Sequence, residues 1–332
     1  GGMSLYRAEI SGPLKENKMR PRIAETAKTL WLIYASLTLL CAFAYWLAGM
    51  SPFDAITHSF STVSIGGFST HDSSMAYFNS PAVNLITVAF LLISACNYAL
   101  HFNAFSNLGK RNIFVSYFRD PEFRFFMFIQ IALVTICFFM LLTNHHFDGT
   151  FKNLEQAAFQ SVSISTTAGY TTSSFDQWPL FLPILLLFAS FIGGCAGSTG
   201  GGLKVIRILV LSLQGKRELK RLIHPNLVYP IKLGKRVLDE RVIQSIWAFF
   251  SAYLLVFVAC LMGVISCGVE TFDAFNAVIA CLNNLGPGLG SVSSNFVSIP
   301  DSAKWILTLT MVCGRLEIFS LLVLFTPAFW KS

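Results

Sequence analysis

Residues 53–70 read Phe53-Asp54-Ala55-Ile56-Thr57-His58-Ser59-Phe60-Ser61-Thr62-Val63-Ser64-Ile65-Gly66-Gly67-Phe68-Ser69-Thr70. The first eight are amphipathic at helical spacing, and a helix of about three turns is too short to cross a hydrocarbon core of roughly 30 Å. The remainder is polar and carries adjacent glycines, which oppose continuation of a helix. Two further stretches have the same form. One runs from Leu154-Glu155-Gln156-Ala157-Ala158-Phe159-Gln160-Ser161 into Ile164-Ser165-Thr166-Thr167-Ala168-Gly169-Tyr170-Thr171-Thr172. The other runs from Phe272-Asp273-Ala274-Phe275-Asn276-Ala277-Val278-Ile279 into Leu282-Asn283-Asn284-Leu285-Gly286-Pro287-Gly288-Leu289. Aligned on Gly67, Gly169 and Gly286, the first and third place a Phe-Asp-Ala triplet 14 residues upstream, at Phe53 and Phe272. In the second, Glu155 and Gln156 stand in place of Phe-Asp, and Ala157 falls on the position of Ala55 and Ala274.

Working outward, apolar runs long enough to span a bilayer flank these segments at Leu30–Met50, Pro81–Leu100, Phe123–Thr143, Val242–Cys267 and Trp305–Phe329. A sixth, Pro179–Leu213, is broken by Gly193-Gly194-Cys195-Ala196-Gly197-Ser198-Thr199-Gly200-Gly201-Gly202. Each glycine lowers helix propensity by about 1 kcal/mol, so this span is not one helix. Irregular backbone at membrane depth persists only inside protein or beside water. The 332 residues are 54% hydrophobic and 12% charged, too few charges to cover a soluble protein of this size. The sequence therefore predicts an all-α polytopic membrane protein of repeated units, each a span, a re-entrant pore helix, a glycine loop and a second span. The expected divisions are a cytoplasmic connector at 1–27, pore units at 28–110, 111–222 and 223–332, and a gating loop at 193–202 in the middle unit.

Charge gives an expected orientation. Residues 1–30, 108–124, 203–241 and 331–332 hold 21 of the 24 basic residues. The opposite side has Lys152 and Lys304 against eight acidic residues, Asp54, Asp72, Asp148, Glu155, Asp176, Glu270, Asp273 and Asp301. By the positive-inside rule the basic side is cytoplasmic, and the glycine loops enter from the periplasmic side. An acidic outer face concentrates cations. The formal charge of +7 lies between apolar runs and needs no nucleic acid to explain it.

A re-entrant helix that hands over to a glycine-containing strand leaves carbonyls free to replace a cation's hydration shell, and the helix C-terminus adds partial negative charge there. The alternative use of small residues, close helix packing, does not account for three copies in one register. Arg315 is the sole basic residue deep in the last apolar run, where a charge requires a partner or a wet path. His101 reads as a packing residue rather than a ligand. The eight cysteines form no CxxC pair and read as buried hydrophobes, and neither HExxH nor GxSxG occurs, so an enzyme is not expected.

The motifs Ser64-Ile65-Gly66-Gly67-Phe68-Ser69-Thr70, Thr166-Thr167-Ala168-Gly169-Tyr170-Thr171-Thr172 and Asn283-Asn284-Leu285-Gly286-Pro287-Gly288 resemble those of the TrkH/TrkG/KtrB family of bacterial potassium-uptake proteins. So do Gly2-Met3-Ser4-Leu5-Tyr6-Arg7-Ala8-Glu9 and Pro21-Arg22-Ile23-Ala24-Glu25-Thr26-Ala27-Lys28. The resemblance covers the whole chain. It implies potassium uptake across the bacterial inner membrane through a filter of backbone carbonyls from Ser64, Ile65, Gly66 and Gly67, from Thr166, Thr167, Ala168 and Gly169, and from Asn283, Asn284, Leu285 and Gly286. In that family four units surround the pore, so the amino-terminal one is expected to be absent from this sequence. It also implies that Gly193, Gly194, Gly197, Gly200, Gly201 and Gly202 form an obstructing loop, with Lys204 at a wet inner vestibule and Arg315 projecting into the ion path. The partners it implies are a second copy, a cytoplasmic nucleotide-binding regulatory subunit of the TrkA type and membrane lipid, with K+ as transported ion and no covalent cofactor. An ion-coupled secondary transporter moving K+ with H+ or Na+ is the alternative, because broken helices also bind substrate in transporters.

Overall fold

The computed structural model describes residues 23–106, 113–234, 236–316, 318–319 and 321. Nearly all of the expected connector at 1–27 and the end of the last apolar run lie outside the described residues.

Three units follow one another. The first comprises α1 (Ile23–Leu47), α2 (Pro52–Val63), α3 (Pro81–Ser94) and α4 (Tyr98–Ser106). After α5 (Ile113–Arg119), the second comprises α6 (Pro121–Thr143), α7 (Thr150–Ser165), α8 (Leu182–Ala189) and α9 (Val205–Ile223). A two-residue hairpin, β1 (Lys232–Leu233) with β2 (Arg236–Val237), leads to the third: α10 (Glu240–Ser266), α11 (Thr271–Leu282) and α12 (Asp301–Arg315). Among the described residues, three helices are long and apolar enough to cross a membrane, within α1, α6 and α10, and the bent pair α3–α4 counts as a fourth if taken as one span.

The helix starts are written locally. Ser51 Oγ accepts from the Asp54 amide with Pro52 in the first turn, Ser80 Oγ caps α3 ahead of Pro81, and Asp120 Oδ1 accepts from Phe123 N at 2.8 Å ahead of Pro121. Each cap satisfies an amide that the helix itself leaves unpaired.

The short helices α2, α7 and α11 form the centre. α7 is buried along its whole second half, from Phe159 to Ser165, because α6 packs on one side of it and α3 of the preceding unit on another. Tyr45 on α1, fully buried, shares its hydroxyl with Thr62 Oγ1 at 2.8 Å and Thr87 Oγ1 at 2.9 Å, which ties span, pore helix and second span of one unit together. Asn84 on α3 donates to Glu155 on α7 at 2.7 Å and joins the first unit to the second.

Two spans differ from the sequence expectation. Pro81–Leu100 is not continuous: α3 and α4 meet at 90° across residues 95–97. Neither Gly nor Pro marks this break. Asn97 does so as a cap, its Oδ1 accepting from Ala99 N at 2.8 Å. The backbone groups freed there are taken by the glycine loop of the next unit, Cys195 N donating to Ala95 O at 2.8 Å and Gly197 O accepting from Tyr98 N at 3.2 Å. The last apolar run is interrupted: α12 ends at Arg315, Leu316 and Ile318 are turn residues, and Phe319 and Leu321 are helical again, the remainder of the run to Phe329 lying outside the described residues.

Candidate ion site

The three pore helices end in the same way, atom for atom. Ser64, Thr166 and Asn283 close the helices with ordinary helical backbone. The next residues, Ile65, Thr167 and Asn284, are left-handed, with φ of 55°, 68° and 56°. The residues after those donate to the carbonyl five positions back: Gly66 N to Ser61 O at 2.7 Å, Ala168 N to Ser163 O at 2.8 Å, and Leu285 N to Ala280 O at 2.8 Å. This is the Schellman closure, normally built on glycine. Here β-branched Ile65 and Thr167 hold the left-handed place, at a cost of about 1–2 kcal/mol each that the surrounding packing must offset.

After the closure the chain turns left-handed again at Gly67, Gly169 and Gly286, with φ of 69°, 81° and 98°. Among the described residues, no hydrogen bond uses the carbonyl oxygens of residues 64–67, 166–169 or 283–286. Those twelve oxygens are the set expected from the sequence.

The loops abut in order. A Cβ on Gly67 would be driven into the Ala168 carbonyl oxygen, and one on Gly169 into the Leu285 carbonyl oxygen, while one on Gly286 meets no heavy atom within 4 Å among the described residues. A cavity of about 920 Å³ opens above and between them, lined by Gly67, Gly169, Gly286, Asn284 and Arg315 among others.

Neighbouring side chains hold each loop. Tyr170, fully buried, has its carbonyl bonded by Ser163 Oγ at 2.7 Å, and Ser165 Oγ donates to Gln130 on α6 at 2.9 Å. The Asn283 amide donates to Ser190 Oγ at 2.8 Å and its oxygen accepts from the Tyr253 hydroxyl. Asn284 Nδ2 reaches Met311 O on α12 at 3.2 Å. At the outer mouth, Asp54 accepts from Ser51 and Thr70, each at 2.7 Å, and lies 3.3 Å from His71 Nε2. The Thr70 hydroxyl, chiefly, holds the Asp54 carboxyl below its ordinary range. His58, buried on α2, bonds Ser69 Oγ through Nε2 at 2.9 Å.

Residues 190–204 run irregularly between α8 and α9, directly against the inner side of the loops. Thr199 Oγ1 donates to Val63 O at 2.9 Å and Gly201 N to Thr167 Oγ1 at 2.7 Å. A Cβ on Gly201 would collide with the Asn283 carbonyl, and one on Gly200 would lie 2.9 Å from Thr166 O. Gly193 and Gly202 pack on each other's backbone, whereas Gly194 and Gly197 pack against Ala95 and Asn97 at the α3–α4 break. Lys204 differs from the expectation of a wet vestibule. It is buried, with its ammonium on the carbonyls of Gly200 and Ser198, so it fastens the loop from within. Arg315 reaches across from α12, and its Nη1 donates to Thr199 O at 3.1 Å. His101 is a packing residue, bonded to the Tyr117 hydroxyl at 2.6 Å and Ile93 O at 3.0 Å.

Sequence reasoning did not single out Thr199, Ser190 or Asn283's side chain as supports. Only their small polar character signalled them.

Residues 1–332 match the TrkH family, described as a cation transport protein. The chain is 63% identical over its whole length to the Trk system potassium uptake protein TrkH of Vibrio parahaemolyticus, covering 68% of that protein. It is 61% identical over its whole length to the protein of the same name from Escherichia coli K12, again covering 68%. It is similar to the crystal structure of the potassium transporter TrkH from Vibrio parahaemolyticus at a TM-score of 0.89 and 62% identity, over 96% of this chain and 67% of that one.

Proposed function

This chain belongs to the TrkH family of cation transport proteins, and from that premise we propose that its three glycine loops are filter segments of a potassium-uptake pore. The protein is a multi-pass protein of the bacterial inner membrane that takes up potassium by a channel-like route and is not an enzyme. The observation that carries the filter reading is the set of twelve carbonyl oxygens at residues 64–67, 166–169 and 283–286 left free by three identical helix closures. Their pore helices aim C-terminal partial charge at the same place.

Each unit supplies one quarter of the ring, with residues 28–110, 111–222 and 223–332 as the units. A fourth loop sits against Gly286 as Ala168 sits against Gly67, which the absence of close neighbours at Gly286 among the described residues supports. Residues 193–202 obstruct the inner end of the path, and Arg315 faces it. The basic side is cytoplasmic and the loops enter from the periplasm. The assembly is a homodimer that binds a nucleotide-binding regulatory subunit of the TrkA type on its basic face, in contact with membrane lipid.

The test is isotopic Rb+ and Na+ flux into proteoliposomes holding the full-length protein. Rb+ uptake that K+ competes away and Na+ does not is expected, and equal competition by Na+ contradicts a selective filter.

A further inference from the structure

Glu122 is a carboxylate with no evident work in its own helix. It lies in the first turn of α6, but Asp120 already caps that turn through Phe123 N at 2.8 Å. Its residue is 2% exposed, and its Oε1 accepts from Ala196 N at 2.6 Å, 74 positions along the chain and inside the glycine loop. The start of α9, with Ile206 and Lys204, lies beside the same carboxyl. It therefore holds the front of the loop to the helix that follows it. The Ala196 amide is the donor that the loop itself supplies to Glu122, and that bond is lost if the loop leaves.

The front of the loop has a second attachment beside the first. Cys195 N bonds Ala95 O, so two successive amides of the loop are pinned to two different units. Movement of the loop away from the inner side of the filter must break both, and the bond to Glu122, at 2.6 Å against 2.8 Å, is the shorter.

We propose that Glu122 is a positioning residue that latches the glycine loop closed through the Ala196 amide, so that its release is a step of pore opening. The proposal rests on the reading that residues 193–202 obstruct the path.

The test uses the full-length protein in proteoliposomes, comparing the parent, Glu122→Ala, Glu122→Asp, Glu122→Gln and a variant with the loop shortened, by Rb+ flux without any regulatory partner. Alongside, maleimide labelling of Cys195, which is 2% exposed, is followed by peptide mass mapping. Loss of this hydrogen bond, which leaves the buried Ala196 amide without its acceptor, shifts the open population roughly tenfold, so Glu122→Ala and the retracted carboxyl of Glu122→Asp should raise flux and speed Cys195 labelling by that order. Glu122→Gln keeps an oxygen at the same reach and should stay near the parent on both readouts. If Glu122→Ala does not fold, Glu122→Asp against Glu122→Gln decides the matter. Parent-like flux and labelling in Glu122→Asp, beside increased flux in the shortened-loop variant, overturns the latch and leaves the obstruction reading standing. No increase in the shortened-loop variant overturns that reading and the latch with it. Opening by Glu122→Gln equal to that by Glu122→Asp also overturns the latch as stated, since charge rather than reach would then matter.

Discussion

The carbonyl oxygen of Ala168 occupies the place where a side chain on Gly67 would begin. Leu285 stands in the same relation to Gly169, one unit further round. Each filter glycine is thus the seat for the neighbouring loop's carbonyl, and position within a loop and spacing between loops are set by one contact.

Replacement of Gly67 or Gly169 by Ala should therefore move two loops at once. The added methyl both strains a left-handed backbone, by about 1 kcal/mol or more, and displaces a neighbouring carbonyl. Selectivity for Rb+ over Na+ should fall roughly tenfold, a change of 1.4 kcal/mol in relative barrier, with protein still recovered from the membrane. Gly286→Ala in the full-length protein should be as damaging, because a fourth loop is proposed to rest there. Flux ratios in the three variants check this, and a harmless Gly286→Ala would count against closure of the ring at that point.

Arg315→Gln should increase flux. A unit charge about 8 Å from a passing cation at an effective dielectric near 20 raises its energy by about 2 kcal/mol, and the gain on removal should shrink in high salt. The variant also loses the bond to Thr199 O, which acts in the same direction by loosening the loop. Flux measured at two ionic strengths, with solubilised yield as control, tests this. A drop in yield with no gain in flux would assign Arg315 a structural role.

Tyr45→Phe removes a fully buried hydroxyl shared by Thr62 and Thr87. Two buried hydroxyls then lose a partner, at about 1–3 kcal/mol in total. The melting temperature in detergent should fall while the Rb+ to Na+ ratio is kept, because the filter carbonyls themselves are untouched. A changed ratio at unchanged stability would contradict that division of labour.

At the outer mouth, the lowered carboxyl of Asp54 fixes the sign of a pH effect. Its charged form is the one held by Thr70 and Ser51, so its contribution is fully present above its unfolded value, which is near 3.9, and is lost as pH falls through the lower folded value. Asp54→Asn should cost about 1 kcal/mol or less at neutral pH, after allowance for solvent screening, and the difference from the parent should close in strong acid. Melting curves from pH 7 to about pH 2 measure this, and a difference that widens with acid would reverse the assignment.

The repeat was legible because its period and register lie in residue identities, with Phe53 and Phe272 each 14 residues ahead of the glycine. The broken span was legible because six glycines fall in ten residues. What escaped was conformation set by tertiary contact. Left-handed backbone at Ile65 and Thr167 runs against the preference of β-branched residues and is imposed by the closure around them. The 90° bend after Ser94 carries no breaker, and its freed backbone groups are met by Cys195 and Gly197 from a distant segment. Pairings such as Glu122 with Ala196 lie 74 residues apart and have no local signature.

The most direct measurement is anomalous diffraction from crystals of the full-length protein grown in Rb+. The expected result is an Rb+ peak enclosed by the carbonyl oxygens of residues 64–67, 166–169 and 283–286, displaced by K+ and absent in Gly67→Ala. Ordered Rb+ bound elsewhere along the path, with these carbonyls turned away from it, would contradict the claim that the glycine loops are the ion site.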